Sequence, residues 1–222
     1  MSASEPSSAI SCISCCGHRV GNTLRVYGGE RSHHFPFVCV IGPDYGCNAA
    51  AWFLILAISL AFLSLVALKL HVGVLIGNAA TLAILLCSFA VTSLSDPGYM
   101  PRQTAEQLAA DRIELAEKAH VSSSGIISVM PPRAAGSSDV VDVAAANGFT
   151  ACGTCHVLRE RGTLHCYDCA RCVRELDHHC PWSGKCIGKG NLTAFKTFLG
   201  ALLLHSAFTG VSFITYIVGF RG

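Results

Sequence analysis

AAAWFLILAISLAFLSLVALKLHVGVLIGNAATLAILLCSFAVTSL, residues 49–94, decides the fold class. Its first twenty residues (49–68) carry no charge. As a helix rising about 1.5 Å per residue they cover roughly 30 Å, the hydrocarbon thickness of a bilayer. Lys69 and His71 interrupt the run, and 72–94 is a second uncharged stretch relieved only by Asn78. So short a turn makes the two runs antiparallel spans. Gly73, Gly77, Ala80 and Ala83 keep one side of the second span small, which lets a neighbouring helix approach closely. Cys87 inside it reads as a small packing residue. A third apolar run, 197–220, contains one ionisable residue, His205, which lines a pathway, contacts headgroups, or is neutral and bonded to a neighbouring helix. Composition agrees: 51% hydrophobic residues against 14% charged is too apolar for a soluble domain. The expected fold is an α-helical integral membrane protein with three spans.

A net charge of +2 and the lack of a basic, aromatic-interleaved patch exclude nucleic acid as a partner. Residues 1–48 read as a polar N-terminal region without helical period and without a cleavable leader. Within it Cys12, Cys15 and Cys16 form either a thiol cluster open to S-acylation or part of a disordered tail. The stretch 35–46, FPFVCVIGPDYG, suits an interfacial segment before a span. After the second span Ser95-Asp96-Pro97-Gly98 supplies turn chemistry. Residues 103–119 form a soluble helix candidate with Leu108, Ile113 and Leu115 on one side, and 121–147 is a Ser-, Gly- and Pro-containing linker.

Between the linker and the third span, a domain at 148–196 contains the chemistry. From Cys152 to Cys186 it reads CGTCHVLRERGTLHCYDCARCVRELDHHCPWSGKC, with seven cysteines and four histidines. Thiolates and imidazoles at such density are zinc ligands, four to a tetrahedral site. Cys152-x2-Cys155 and Cys166-x2-Cys169-x2-Cys172 have knuckle spacing. Eleven candidates fill two structural zinc sites and leave three groups over, but spacing does not assign each ligand to its ion. Cys180, two residues from His178 and three from Asp177, meets the requirements of a thiolate nucleophile with a local base. Asp177 can hold the imidazole tautomer, provided the backbone bends, because neighbours on a straight strand point apart.

Orientation follows from basic residues. Eleven Lys or Arg lie between the second and third spans, including Arg102, Lys185, Lys189 and Lys196, against Lys69 alone in the turn after the first. The cysteine-rich domain and the N-terminus are therefore expected in the cytosol, where thiols stay reduced.

The window, with Asp177-His178-His179-Cys180-Pro181-Trp182 inside it, resembles the cysteine-rich domain of the DHHC protein S-acyltransferases, or palmitoyltransferases. The resemblance extends to the two preceding spans, to Asp96-Pro97-Gly98, and to Asn191 and Phe195. It implies that Cys152, Cys155, His165 and Cys172 hold one zinc, and that Cys166, Cys169, His179 and Cys186 hold the other. Cys180 is then the nucleophile, His178 its base and Asp177 the orienting group, with His156 left over. It further implies palmitoyl-CoA as co-substrate, cysteine-bearing proteins at the membrane face as acceptors, and a multi-pass location in Golgi, ER or plasma membrane. Glu160, Gly162 and Lys185 depart from the family's usual Pro, Arg and Asn. The family typically has four spans and a tail with a Thr-Thr-x-Glu motif, whereas this sequence shows three. The expectation is thus of an incomplete chain or a reduced member requiring a partner; the competing reading is a non-catalytic membrane zinc scaffold.

Overall fold

The computed structural model describes residues 17–28, 35–123 and 149–220. The thiol cluster Cys12, Cys15 and Cys16 and most of the expected linker lie outside these residues.

Among the described residues, three helices are long and apolar enough to cross a membrane. α1 runs Tyr45–Leu65 and α2 runs Val72–Leu94. They are joined by a 3₁₀ turn at Ala67–Lys69 and by His71, whose Nδ1 accepts the Gly73 amide at 3.1 Å and caps α2. The third long helix, Leu192–Phe220, begins five residues before the uncharged run, because Lys196 interrupts the hydropathy pattern but not the helix. In the order introduced here it is α4, since α3 (Ala105–Ser123) is the shorter polar helix after the Asp-Pro-Gly turn. α3 starts on a reciprocal cap: the Gln107 amide donates to Thr104 Oγ1 at 3.2 Å, and the Thr104 amide donates to Gln107 Oε1 at 2.8 Å.

α2 and α4 pack closely because Gly77 has no Cβ: one placed there would sit 2.4 Å from Phe208 Cζ. His205 of α4 is buried and binds both other long helices, with Ser59 Oγ 3.2 Å from Nε2 and Thr81 Oγ1 3.0 Å from Nδ1. The expected bond to a neighbouring helix is thus observed, to both of them. It also lines a cavity of about 770 Å³ between α1 and α4, together with Ile58, Ser59, Phe62, Leu202 and Phe213. Cys87 faces outward from the bundle instead of packing within it.

The N-terminal region holds a three-stranded antiparallel sheet in the order β1 (His18–Val20), β2 (Thr23–Tyr27), β3 (Cys39–Ile41). The cysteine-rich window folds into three hairpins: β4 (Thr150–Cys152) with β5 (Val157–Arg159), β6 (Leu164–Cys166) with β7 (Arg171–Val173), and β8 (His178–Cys180) with β9 (Lys185–Ile187). Val38 and Val40 bury themselves against Tyr99, Val173 and three of the window's cysteines, so the sheet and the window share a core. Asn22 ties the β1–β2 turn to the window, its amide donating to the Cys169 carbonyl at 3.0 Å.

The Asp-Pro-Gly turn joins these layers. Asp96 is fully buried. Its Oδ1 accepts the Gly98 and Tyr99 amides at 2.9 and 2.8 Å, and its Oδ2 pairs with Arg25 of β2. Gly190 permits the next layer to close, because a Cβ there would lie 2.2 Å from the Asp96 carbonyl oxygen. Asp96→Ala removes the carboxylate from Arg25 and strips two buried amides of their acceptor. The expected cost is about 3–5 kcal/mol, seen as a lower thermal unfolding midpoint of the detergent-solubilised protein.

Candidate metal centres and reactive thiol

Each hairpin places ligands by strand alternation. His165 and Cys166 are neighbours on β6 and so point to opposite faces. His165 stands directly across from Cys172, and His179 directly across from Cys186. Two groups of four result: Cys152, Cys155, His165 and Cys172, and Cys166, Cys169, His179 and Cys186. Within each group the ligand atoms all lie within 4.8 Å of one another. A Cys₃His donor set at this spacing, buried apart from partly exposed imidazoles, fits tetrahedral zinc. Both sites could hold the ion.

Local geometry prepares these sets. In the first, His165 Nδ1 faces the sulfurs of Cys155, Cys152 and Cys172 at 3.3, 3.6 and 3.8 Å. Burial, aided by Arg102 and Arg159, lowers the His165 pKa against the opposing pull of Cys166, favouring the neutral ring that a metal needs. In the second, His179 Nδ1 faces Cys166, Cys169 and Cys186 at 3.4, 3.5 and 3.6 Å. The Cys169 amide donates to Cys166 Sγ at 3.5 Å, and the Tyr99 hydroxyl donates to Cys169 Sγ at 3.0 Å. His156, which has no ligand role, occupies the left-handed region (φ 54°) after Cys155, as Ala170 does (φ 52°) after Cys169. These residues turn the chain after each knuckle, and histidine tolerates that conformation better than most side chains.

The remaining groups lie on β8. Cys180 is outside both ligand sets and is buried. His178 and Cys180 are two residues apart on the strand and share a face, while His179 points to the metal side. His178 Nδ1 is 2.7 Å from Asp177 Oδ2. Glu175, at φ 45°, turns the chain ahead of Asp177, which lies just outside the strand. Neither His178 Nε2 nor the Cys180 thiol has a hydrogen-bond partner among the described residues. The His178 ring lies edge-on to Phe195 at 5.2 Å, the first of a row of aromatic rings through Phe198 and Phe89 to Trp52. That row braces the imidazole against α4, α2 and α1.

Residues 146–221 match the DHHC palmitoyltransferase family. This segment is similar to a DHHC domain. Among curated proteins the chain is 38% identical over 131 residues to Palmitoyltransferase ZDHHC14 of Mus musculus, covering 57% of this chain and 25% of that protein. It is 39% identical over 123 residues to Palmitoyltransferase ZDHHC18-B of Danio rerio, covering 55% and 30%. It is 33% identical over 126 residues to Palmitoyltransferase ZDHHC18 of Homo sapiens, covering 57% and 30%. The chain thus spans about a quarter to a third of the length of the curated relatives it matches.

Two supports of the cysteine-rich window leave no signal in the sequence. Tyr99 and Asp44 lie far from the window in sequence, and only the fold brings them to it, Asp44 Oδ2 resting 2.6 Å from His179 Nε2. Lys185, which stands where the family usually has Asn, is fully buried, donates to the Val40 carbonyl, and burial pushes its ammonium down to about 7. Phe195 and Asn191 were flagged by resemblance. Asn191 accepts the Gly188 amide at 2.9 Å and donates to the Cys186 carbonyl at 3.1 Å, closing the loop after the last ligand.

The two ligand sets predict two zinc ions per purified chain by elemental analysis. Cys155→Ala should lower the content to about one, because it breaks a tetrahedral set that the second cluster does not share.

Proposed function

We propose that the chain is a membrane protein S-palmitoyltransferase that carries a long-chain acyl group on Cys180. The observation that supports this reading best is the Asp177–His178 pair at 2.7 Å, on the strand whose same face presents Cys180, a thiol that neither ligand set uses. The ZDHHC14 and ZDHHC18 relatives are named palmitoyltransferases, which supports the same activity.

Asp177 accepts a hydrogen bond from the His178 Nδ1–H, which keeps that proton on Nδ1 and leaves Nε2 free to act as base. His178 takes the Cys180 proton, and the thiolate attacks the carbonyl carbon of palmitoyl-CoA. As the tetrahedral adduct collapses, the carbon–sulfur bond to CoA breaks and His178 returns its proton to the CoA thiolate. The neutral imidazole then deprotonates a cysteine of the protein acceptor. That thiolate attacks the Cys180 thioester, Cys180 leaves and is reprotonated, and the cycle closes. Thioester is exchanged for thioester in both halves, so no external energy source is required.

Zinc in the two clusters would supply folding energy to a window whose three-residue strands cannot persist alone. Cys152, Cys155, His165 and Cys172 would hold one ion, and Cys166, Cys169, His179 and Cys186 the other. The acyl chain would lie among the spans, and the apolar cavity between α1 and α4 offers space for it. The distribution of Lys and Arg, together with the need for reduced thiols, favours a cytosolic DHHC domain in an endomembrane or the plasma membrane.

Purified protein in which Cys12, Cys15 and Cys16 are replaced should become labelled by radioactive palmitoyl-CoA. Cys180→Ser in that background should remain unlabelled, and His178→Ala should acylate about 10²–10⁴-fold more slowly. Equal labelling of the Cys180→Ser protein would overturn the mechanism. Two bound zinc ions without any acyl-enzyme would support a membrane zinc scaffold in its place.

A further inference from the structure

The two clusters differ in one respect that their ligand sets do not reveal. His179 turns Nδ1 to the three thiols, and its other nitrogen, Nε2, lies 2.6 Å from Asp44 Oδ2. When Nδ1 ligates a metal, the ring proton must sit on Nε2, and here it has a carboxylate to receive it. His165 presents Nδ1 to its thiols in the same way, but among the described residues its Nε2 has no hydrogen-bond partner. It rests edge-on against Tyr167 at 5.2 Å.

Asp44 stands immediately before α1, at the position where an aspartate ordinarily accepts an amide of the first helical turn. It makes no such bond. Its carboxylate is directed across to His179, and its backbone is fixed on both sides. The Asp44 amide donates to the Gly184 carbonyl at 3.2 Å, and its own carbonyl accepts the Asn48 amide at 3.1 Å. Gly42, two residues earlier, lets the chain run against this loop, since a Cβ there would lie 1.9 Å from the Gly184 carbonyl oxygen. The entrance of the first long helix is therefore seated on the β8–β9 hairpin, beside the ligand adjacent to Cys180.

We propose that Asp44 is a positioning residue for the second metal site: it fixes the tautomer and ring plane of His179, so that, among the described residues, only this site is buttressed from the base of a long helix. A carboxylate behind a ligating histidine raises the ligand's basicity and typically contributes 10–100-fold in metal affinity. Through His179, Asp44 also braces the strand that carries Cys180. The inference rests on the metal reading of the two clusters and is independent of acyl transfer.

The test is zinc release from the full chain in detergent, with excess chelator and a chromogenic zinc indicator. In Asp44→Ala one of the two ions should leave about 10–100-fold faster and the other at the parent rate. Adding Cys155→Ala, which removes the first site, should leave only the fast ion. Unchanged rates for both ions, or equal acceleration of both, would overturn the proposal, because general loosening of the fold would not choose between them. If Asp44→Ala does not fold, the isosteric Asp44→Asn decides by the same criterion of a single accelerated ion. Parent protein that purifies without zinc would instead overturn the metal reading, and this proposal with it.

Discussion

Side-chain alternation along β6 is the constraint on which the cysteine-rich window depends. His165 and Cys166 are consecutive, and a strand sends consecutive side chains to opposite faces. They must therefore serve different clusters. The clusters interleave as a result: the first takes its last two ligands from β6 and β7, while the second takes Cys166 and Cys169 from the same hairpin. Neither cluster can be assembled without the β6–β7 hairpin, and loss of either leaves that hairpin half-anchored. A window with almost no apolar core of its own is thereby tied together through one shared hairpin, while each cluster keeps its own four ligands.

That window is joined to the helices through a set of buried polar contacts. Asp96 collects two amides and Arg25 immediately after α2, and Tyr99, three residues on, donates to a ligand sulfur. Arg171 of β7 lies over the Tyr99 ring at 4.4 Å and donates to the Met100 carbonyl at 3.1 Å, so the segment after α2 is held from both sides. Asn191 completes the connection at the start of α4, where it also reaches the Thr92 carbonyl of α2 at 3.4 Å. Removing one partner from such a network leaves the others buried and unpaired, which explains why its cost exceeds that of any single hydrogen bond.

The long helices were legible because a bilayer demands continuous apolar runs, and such runs are visible without knowing any contact. The bounds of α2, Val72–Leu94, coincide with the uncharged stretch because turn chemistry closes it at both ends. α1 begins four residues ahead of its apolar run, since Tyr45 to Asn48 are held by the window: Asn48 donates to the Trp182 carbonyl at 2.8 Å. The N-terminal sheet could not be read. Its strands of three to five residues carry no clean alternation, and the core they join is built from Val173 and cysteines more than a hundred residues away. The division of ligands was likewise closed to spacing, because it depends on strand register, His165 against Cys172 and His179 against Cys186.

Register also gives the Asp-His-His-Cys sequence a physical reading. Along β8 the odd and even positions face different chemistries: His178 and Cys180 look away from the metal cluster, and His179 looks into it. The two adjacent histidines are thus unlike in role because they are adjacent. A shift of one residue would exchange the faces, sending a thiol toward the cluster and a ligand out of it. The fixed pairing of Cys180 with Lys185, and of His179 with Cys186, prevents that slip. Lys185 contributes by burying its stem and binding the Val40 carbonyl, which pins β9 to the N-terminal sheet. Lys185 is thus a lock on the register that keeps Cys180 apart from the two Cys₃His groups.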